Sequence, residues 1–449
     1  MNITFILEGN LFDVWRKFIL ASVIGVVFST IYTMVDGIFV GQGAGEAGLA
    51  GINLAWPAVT IILGMGLMFG TGSASLISLA VGKGEIERAE RIIGSTFKFA
   101  LVFGVILTIL GLIFANPIVK FLGASEDTFK FTKDYFMIVY IMAIPYLFAN
   151  VLNPLVRADG NPNLSMKMVG VGAIGNIILD WLLVIVLGWG TAGAALATGC
   201  GVTLSTAVGL WYFLTRKSNL EFKKEYFIFD KQILIEIFKI GIVSFMLQFS
   251  IGLVILVQNH IIYSYGTTID IAIFSVAGYI FAVYSQLCIG IAQGMQPLIG
   301  YHYGANLLER MRKLLYITMS VSVLLGVATL LIIYNFGDVL VGFFGIEEEI
   351  KELAYNRVFV FCMGAPCLGV VHTMSAYYQA LNKNIQANVI SVGRGVFLQM
   401  AFAIILPPII GVEGIFYGQA LSDIFSIFIV FIVVVTSYLI SRKKSVTLQ

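Results

Sequence analysis

The chain has 449 residues, of which 59% are hydrophobic and only 12% charged, against about 25% charged in an ordinary soluble domain. A mean hydropathy of +0.95 excludes a soluble enzyme. The balance of 27 Lys and Arg against 25 Asp and Glu, net +2, excludes nucleic-acid binding through a basic surface. The four cysteines, Cys200, Cys288, Cys362 and Cys367, fall inside apolar runs without ligand spacing, so neither a disulfide framework nor a metal site is expected.

A helix needs about 20 apolar residues to cross about 30 Å of hydrocarbon. In chain order, twelve runs meet that length: 14–40, 46–80, 88–115, 129–155, 163–188, 191–216, 233–263, 268–300, 309–335, 350–380, 384–410 and 413–441. Runs such as Ile424 to Val435 lack the alternation of a membrane barrel strand, so the expected fold is an all-α polytopic bundle. The first run follows Arg16 and Lys17 but is too long for the apolar core of a secretory signal; it is expected to remain as the first span.

Lys and Arg in the short loops set the orientation. With the N-terminus inside, Arg16, Lys17, Lys83, Arg88, Arg91, Arg157 and Lys167 lie inside, together with the cations of 216–231 and with Arg310, Arg312, Lys313, Lys383, Arg442, Lys443 and Lys444. The outside receives Lys120, Lys130, Lys133, Lys351, Arg357 and the acidic run Glu347, Glu348, Glu349. The expectation is a multi-pass protein of the cell (plasma) membrane with both termini cytoplasmic.

The chain is also duplicated. Phe121-Leu122-Gly123 matches Phe343-Phe344-Gly345, and Leu76-Ile77 with Gly82 matches Leu298-Ile299 with Gly304, each 222 residues apart. The turn ending at Gly193 matches the one ending at Gly414, 221 apart. The division that follows is an N-terminal lobe at 1–216 with spans 1–6, a cytoplasmic linker at 217–232, and a C-terminal lobe at 233–449 with spans 7–12. Two parallel repeats of this kind predict a transporter, with pseudo-symmetric lobes rocking about a central cavity.

Overlaying the halves shows where they differ chemically. Asp36 falls on Gln258, Asn176 on Leu398 and Asp180 on Phe402, all at 222. Only Asp36, Asp180 and Asp423 lie well inside apolar runs. A charge at a helix centre costs about 2.5–3.5 kcal/mol on insertion scales and usually marks an ion path. Asn176 and Asp180 share one helical face, and Ser29, Tyr32, Thr33 and Asp36 form a polar stripe on the first span. Two carboxylates at similar depth can hold a monovalent cation between them or share a proton, with Asn176 as a neutral oxygen ligand.

At these residues the chain resembles the multidrug and toxic compound extrusion (MATE) family of the MOP flippase superfamily. The resemblance rests on Thr33-Met34-Val35-Asp36-Gly37 with Val40-Gly41, on Arg157-Ala158-Asp159-Gly160-Asn161-Pro162, and on Asn176-Ile177-Ile178-Leu179-Asp180. It implies an efflux antiporter in which H+ or Na+ entering through the first lobe expels organic, commonly cationic, compounds. Asp36, Asn176 and Asp180 resemble that family's coupling residues, and Asn153 and Thr198 its supporting ligands by position. Some branches carry a coupling acid in the seventh span, where this chain has Gln248 and Gln258.

Tyr32, Met246, Gln258 and Tyr279 are candidates for the substrate wall. Arg394 and Asp423 approach the midplane from opposite faces and are read as a structural ion pair. His260, His302 and His372 are scattered and read as polar fillers. The expected partners are small organic substrates and membrane lipid, with no cofactor beyond the coupling ion, no nucleic acid and no obligate protein partner. Two rival readings are a lipid-linked saccharide flippase, which needs cationic residues in the cavity where only Arg394 qualifies, and a membrane-embedded enzyme, for which no catalytic constellation is present.

Overall fold

The computed structural model of the chain describes residues 3–344, 346 and 348–447, apart from the side chains of residues 46, 255, 256, 259, 263, 268 and 441–447. Gly345 and Glu347, and the side chains of Arg442, Lys443 and Lys444, thus lie outside the described residues.

Eleven apolar helices are long enough to cross a bilayer: Leu11–Gly45, Ala47–Gly82, Ile86–Ile113, Pro162–Val186, Gly190–Leu214, Lys231–Val254, Ile269–Gly304, Leu308–Phe343, Glu348–Ala380, Asn384–Ile410 and Glu413–Ile440. The twelfth, fourth in chain order, is not one straight rod: Glu126–Ile141 and Ala143–Ala158 meet at 59°, with Pro145 just past the break. The first two spans run into each other and part only at Gly45, where φ is 67°, a value costly for any side chain bearing a Cβ. The protein is therefore a multi-pass all-α membrane protein of two six-helix lobes around a central cavity.

Local chemistry explains the span ends. After the fourth span Gly160 turns the chain at φ 83°, Asn161 Oδ1 accepts the Leu164 N–H at 3.2 Å, and Pro162 fills a first-turn position that needs no donor. Asp230 caps the seventh helix, accepting the Gln232 N–H at 2.9 Å. Between the lobes, residues 217–230 are strapped to the first lobe. Buried Asp159 accepts the Tyr212 hydroxyl at 2.5 Å and the N–H groups of Asn219 and Leu220 at 2.9 and 2.8 Å.

The lobes touch mainly in the half that carries the termini. Gly82 of the second span lies so close to the eighth that a Cβ would stand 2.3 Å from the Tyr301 carbonyl oxygen. Polar bonds cross there too: Trp15 Nε1 donates to Thr318 at 2.9 Å, Gln296 Nε2 to Ser75 at 2.9 Å and Arg157 Nη2 to Gln293 at 3.1 Å. Thr71 and Ser244 pair at 2.8 Å. In the opposite half Ile31, Met34 and Ile38 of the first span and Tyr265, Ile269 and Tyr279 of the second lobe are exposed, and among the described residues the hydrogen bonds between the lobes are confined to the terminus-side half.

Candidate functional site

A cavity of about 410 Å³ opens between the lobes, walled by the first, second, fourth, fifth and sixth spans and by the seventh, eighth, tenth and eleventh. The walls match across the repeat, since each second-lobe span named stands six after a first-lobe counterpart. The lining is mixed: Tyr32, Trp56 and Tyr146 give aromatic faces, while Asn150, Gln248, Gln293 and Gln379 give amides. Arg157 is its one Lys or Arg, and no Asp or Glu lines it among the described residues.

The two predicted acids meet just behind this wall. Asp180 is 0% exposed and is the last residue of the α-helix Pro162–Asp180, which continues as a π-helical turn over Trp181–Val186; such widened turns recur at functional sites. Asp36, half-buried on the first span, faces it, the two carboxyls lying within reach of each other. Asp36 Oδ1, both carboxyl oxygens of Asp180 and Asn176 Oδ1 are buried without a hydrogen-bond partner. Asn176 Nδ2 donates to the Thr198 hydroxyl at 3.2 Å, and that hydroxyl donates to the Ala194 carbonyl at 3.0 Å. Tyr32 and Tyr135 flank the acids electrostatically. Four buried acceptor atoms without donors are costly; a proton or a small cation supplies what they lack.

Asp36, Asn176, Asp180 and Thr198 are thus brought together; Asn176, Thr198 and Tyr32 reach the cavity wall, and the two acids do not. Asn153 is not with them. Its amide donates to the Ser165 carbonyl at 3.2 Å and its Oδ1 accepts from Arg157 at 2.5 Å. Ser165 opens the fifth span, eleven residues before Asn176, about 16 Å along a helix. Three wall candidates are corrected as well. Tyr279 is 60% exposed and stacks on Phe344 at 6.2 Å, because the eighth span turns that face outward beyond the cavity. Gln258 is buried but lies past the cavity on the far part of its helix. Met246 also misses the lining, although Val243, Leu247 and Gln248 on its own helix reach it.

The second lobe holds different chemistry. Arg394 Nε and Nη2 both reach Asp423 Oδ1 at 2.7 Å, and Gln419 Nε2 donates to Asp423 Oδ2 at 3.1 Å. Arg394 is therefore occupied, and the cavity cation is Arg157, which the sequence analysis had placed as an inside charge and in the motif after the fourth span but not in the cavity. A signal was present: Tyr146, Asn150, Asn153 and Arg157 recur at spacings of four, three and four, one polar stripe along a helix. Of the histidines, His302 is buried against the Leu298 carbonyl, while His372 lines the cavity. No group of three or more His, Cys, Asp or Glu fit to hold a metal occurs among the described residues.

Two lobes about a polar cavity, with paired acids buried in one of them, define a membrane transporter. The MatE family model matches the chain twice, over residues 21–182 and 241–405, once in each lobe, and the chain belongs to that family. It is 23% identical over 416 residues to the multidrug export protein MepA of Staphylococcus saprophyticus, covering 93% of this chain and 92% of that one. It is 25% identical over 422 residues to MepA of Staphylococcus aureus, with the same coverages. Its fold superimposes with a TM-score of 0.92 on an outward-facing multidrug resistance MATE family transporter of the MOP superfamily, at 21% identity over 98% of this chain and 99% of that one.

Proposed function

We propose that the protein is a secondary-active efflux antiporter of the plasma membrane, which exports organic compounds in exchange for inward H+ or Na+. The observation that carries this reading is the convergence of Asp36, Asp180 and Asn176 with four unpartnered buried oxygens beside a cavity shared by both lobes. The names of the similar MepA proteins support export of drugs, and the aromatic faces of Tyr32, Trp56 and Tyr146 suit flat or cationic rings.

With the termini in the cytoplasm, the closed half of the lobe contact lies inside and the opposite half outside, so this conformer faces outward. A proton or cation from outside neutralises the acid pair, whose mutual repulsion and burial otherwise oppose close packing of the first and fifth spans. The first span then shifts against the fifth and sixth, and substrate is released. That span contains no proline from Leu11 to Gly45, so its movement does not depend on a proline hinge.

The test is dye export from proteoliposomes under separately imposed proton and sodium gradients. Wild-type protein is expected to respond to one of them, and Asp180→Asn to lose at least about 100-fold in gradient-driven rate while remaining monodisperse. A full rate in Asp180→Asn rejects the coupling site; no response to either gradient rejects antiport.

A further inference from the structure

We propose that the terminus-side floor of the cavity is an anion subsite built on Arg157, which takes the carboxylate, sulfonate or phosphate of an organic acid or zwitterion. The inference deepens the export reading by naming a chemical class for the substrate, and it rests on that reading only in taking the cavity as the place where substrate sits.

Arg157 is 5% exposed yet lines the cavity. Its guanidinium donates to Asn153 Oδ1 at 2.5 Å, Gln293 Oε1 at 3.1 Å and Ser165 Oγ at 3.4 Å. All three acceptors are neutral. The other buried arginines are treated differently: Arg357 sits between Asp270 and Glu413, and Arg394 on Asp423. Among the described residues no carboxylate pairs with Arg157. Asp159, two residues on, spends its carboxylate on Tyr212, Asn219 and Leu220. Asp180 stands fifteen residues beyond Ser165 on the fifth span, about 22 Å away along a helix.

A buried charge without a counter-ion is costly even after relaxation, and no acid of the wall offsets it. An anion entering the cavity is therefore drawn to its floor. The planar guanidinium fork matches a carboxylate or phosphate in two parallel bonds, better than it matches single amide oxygens. The subsite is also single. At the repeat offset of 222 Arg157 falls on Gln379 and Gln293 on Thr71, and Gln379 Nε2 reaches Thr71 at 3.4 Å. The second lobe thus repeats the crossing bond without its charge. Because Gln293 belongs to the opposite lobe, an anion that displaces it loosens one bond holding the cavity floor shut.

The experiment uses purified full-length protein in phosphatidylcholine nanodiscs and two dyes differing by one group: rhodamine B, with a free carboxylate, and its ethyl ester. Binding is read from quenching of Trp fluorescence, with Trp56 in the cavity wall. Wild-type protein is expected to bind the acid at least about tenfold tighter than the ester. Arg157→Gln is expected to reduce that ratio to within about twofold, and Arg157→Lys to keep at least part of it. Each variant is compared with wild type by size-exclusion profile, and the lysine variant decides the outcome should the glutamine variant fail to fold. Equal affinity for the two dyes in wild type, or an unchanged ratio in Arg157→Gln, overturns the proposal. Loss of the wild-type preference on adding phosphatidylglycerol assigns the guanidinium to a lipid phosphate and overturns it too. Binding needs no gradient, so an intact ratio without gradient-driven export rejects antiport alone, whereas export without the ratio rejects the anion subsite alone.

Discussion

The two lobes solve the same packing problem in opposite ways. In the second, the eleventh and twelfth spans are joined by the buried pair Arg394 and Asp423. At the repeat offsets, 222 in the fifth span and 221 in the sixth, those positions are Gly172 and Val202 in the first lobe, and beside Val202 the two spans come so close that a Cβ on Gly201 would stand 2.7 Å from the Gly172 carbonyl oxygen. The outer ends differ likewise. Arg357 binds both Asp270 and Glu413 in the second lobe, while the first has Tyr135, Gly48 and Ala192 at those places. Within the membrane, one lobe is pinned by ion pairs; the other is a seam of small residues with Asp36 and Asp180 lacking a cationic partner among the described residues. In the antiport proposed above, charge without a fixed partner is what a coupling ion acts on, so that proposal gives anchorage to the second lobe and response to the first.

The comparison breaks most visibly at its pinned end. Asp423→Asn leaves Arg394 buried and unpaired and is expected to cost about 3–5 kcal/mol, whereas Arg394→Met combined with Asp423→Leu should return stability to within about 1 kcal/mol of wild type, because an apolar pair removes both desolvation penalties. Thermal unfolding in detergent measures both, and equal losses would show that the pair is not the anchor. In the first lobe Gly201→Ala forces its methyl against Gly172 and to 2.9 Å from Asn176 Cβ. The expected cost is about 1–3 kcal/mol, together with a lower export rate as Asn176 shifts from Asp180; a variant with wild-type rate would mean that the seam has slack.

The smallest effect concerns the linker. Burial pushes the Asp159 carboxyl up to about 6, against the pull of its donors Tyr212, Asn219 and Leu220. The folded value exceeds that of an unfolded Asp, about 3.9, so the folded chain binds the extra proton. This contribution to stability is full below pH about 4 and is lost as pH rises through about 6. A melting series over that window, compared with Asp159→Asn, should show the slope in wild type only.

Much of this was legible in sequence because a bilayer leaves few choices: apolar runs of span length must be helices, and a duplicated order of Gly and Phe landmarks reveals two copies. The acids Asp36 and Asp180 stood out because charges are rare inside such runs. Asn153 and Tyr279 went astray for a different reason. Residue type and family position place a side chain on a helix, but the bend at Met142 and the rotation of each helix decide which neighbour it meets. Arg157 was hidden by its position near a span end, where an arginine ordinarily reaches water.

Hydrophobicity and spacing alone therefore determined the membrane class, the twelve spans, the doubling and the acids of the first half, since each is a one-dimensional consequence of solvent and chain geometry. Only the packed structure decided that Asp36 meets Asp180 behind the cavity wall, that Arg157 lines the cavity without a counter-ion, and that the lobes touch in one half. Those outcomes depend on which faces of distant helices approach within a few ångströms, a relation between surfaces rather than between positions along a chain.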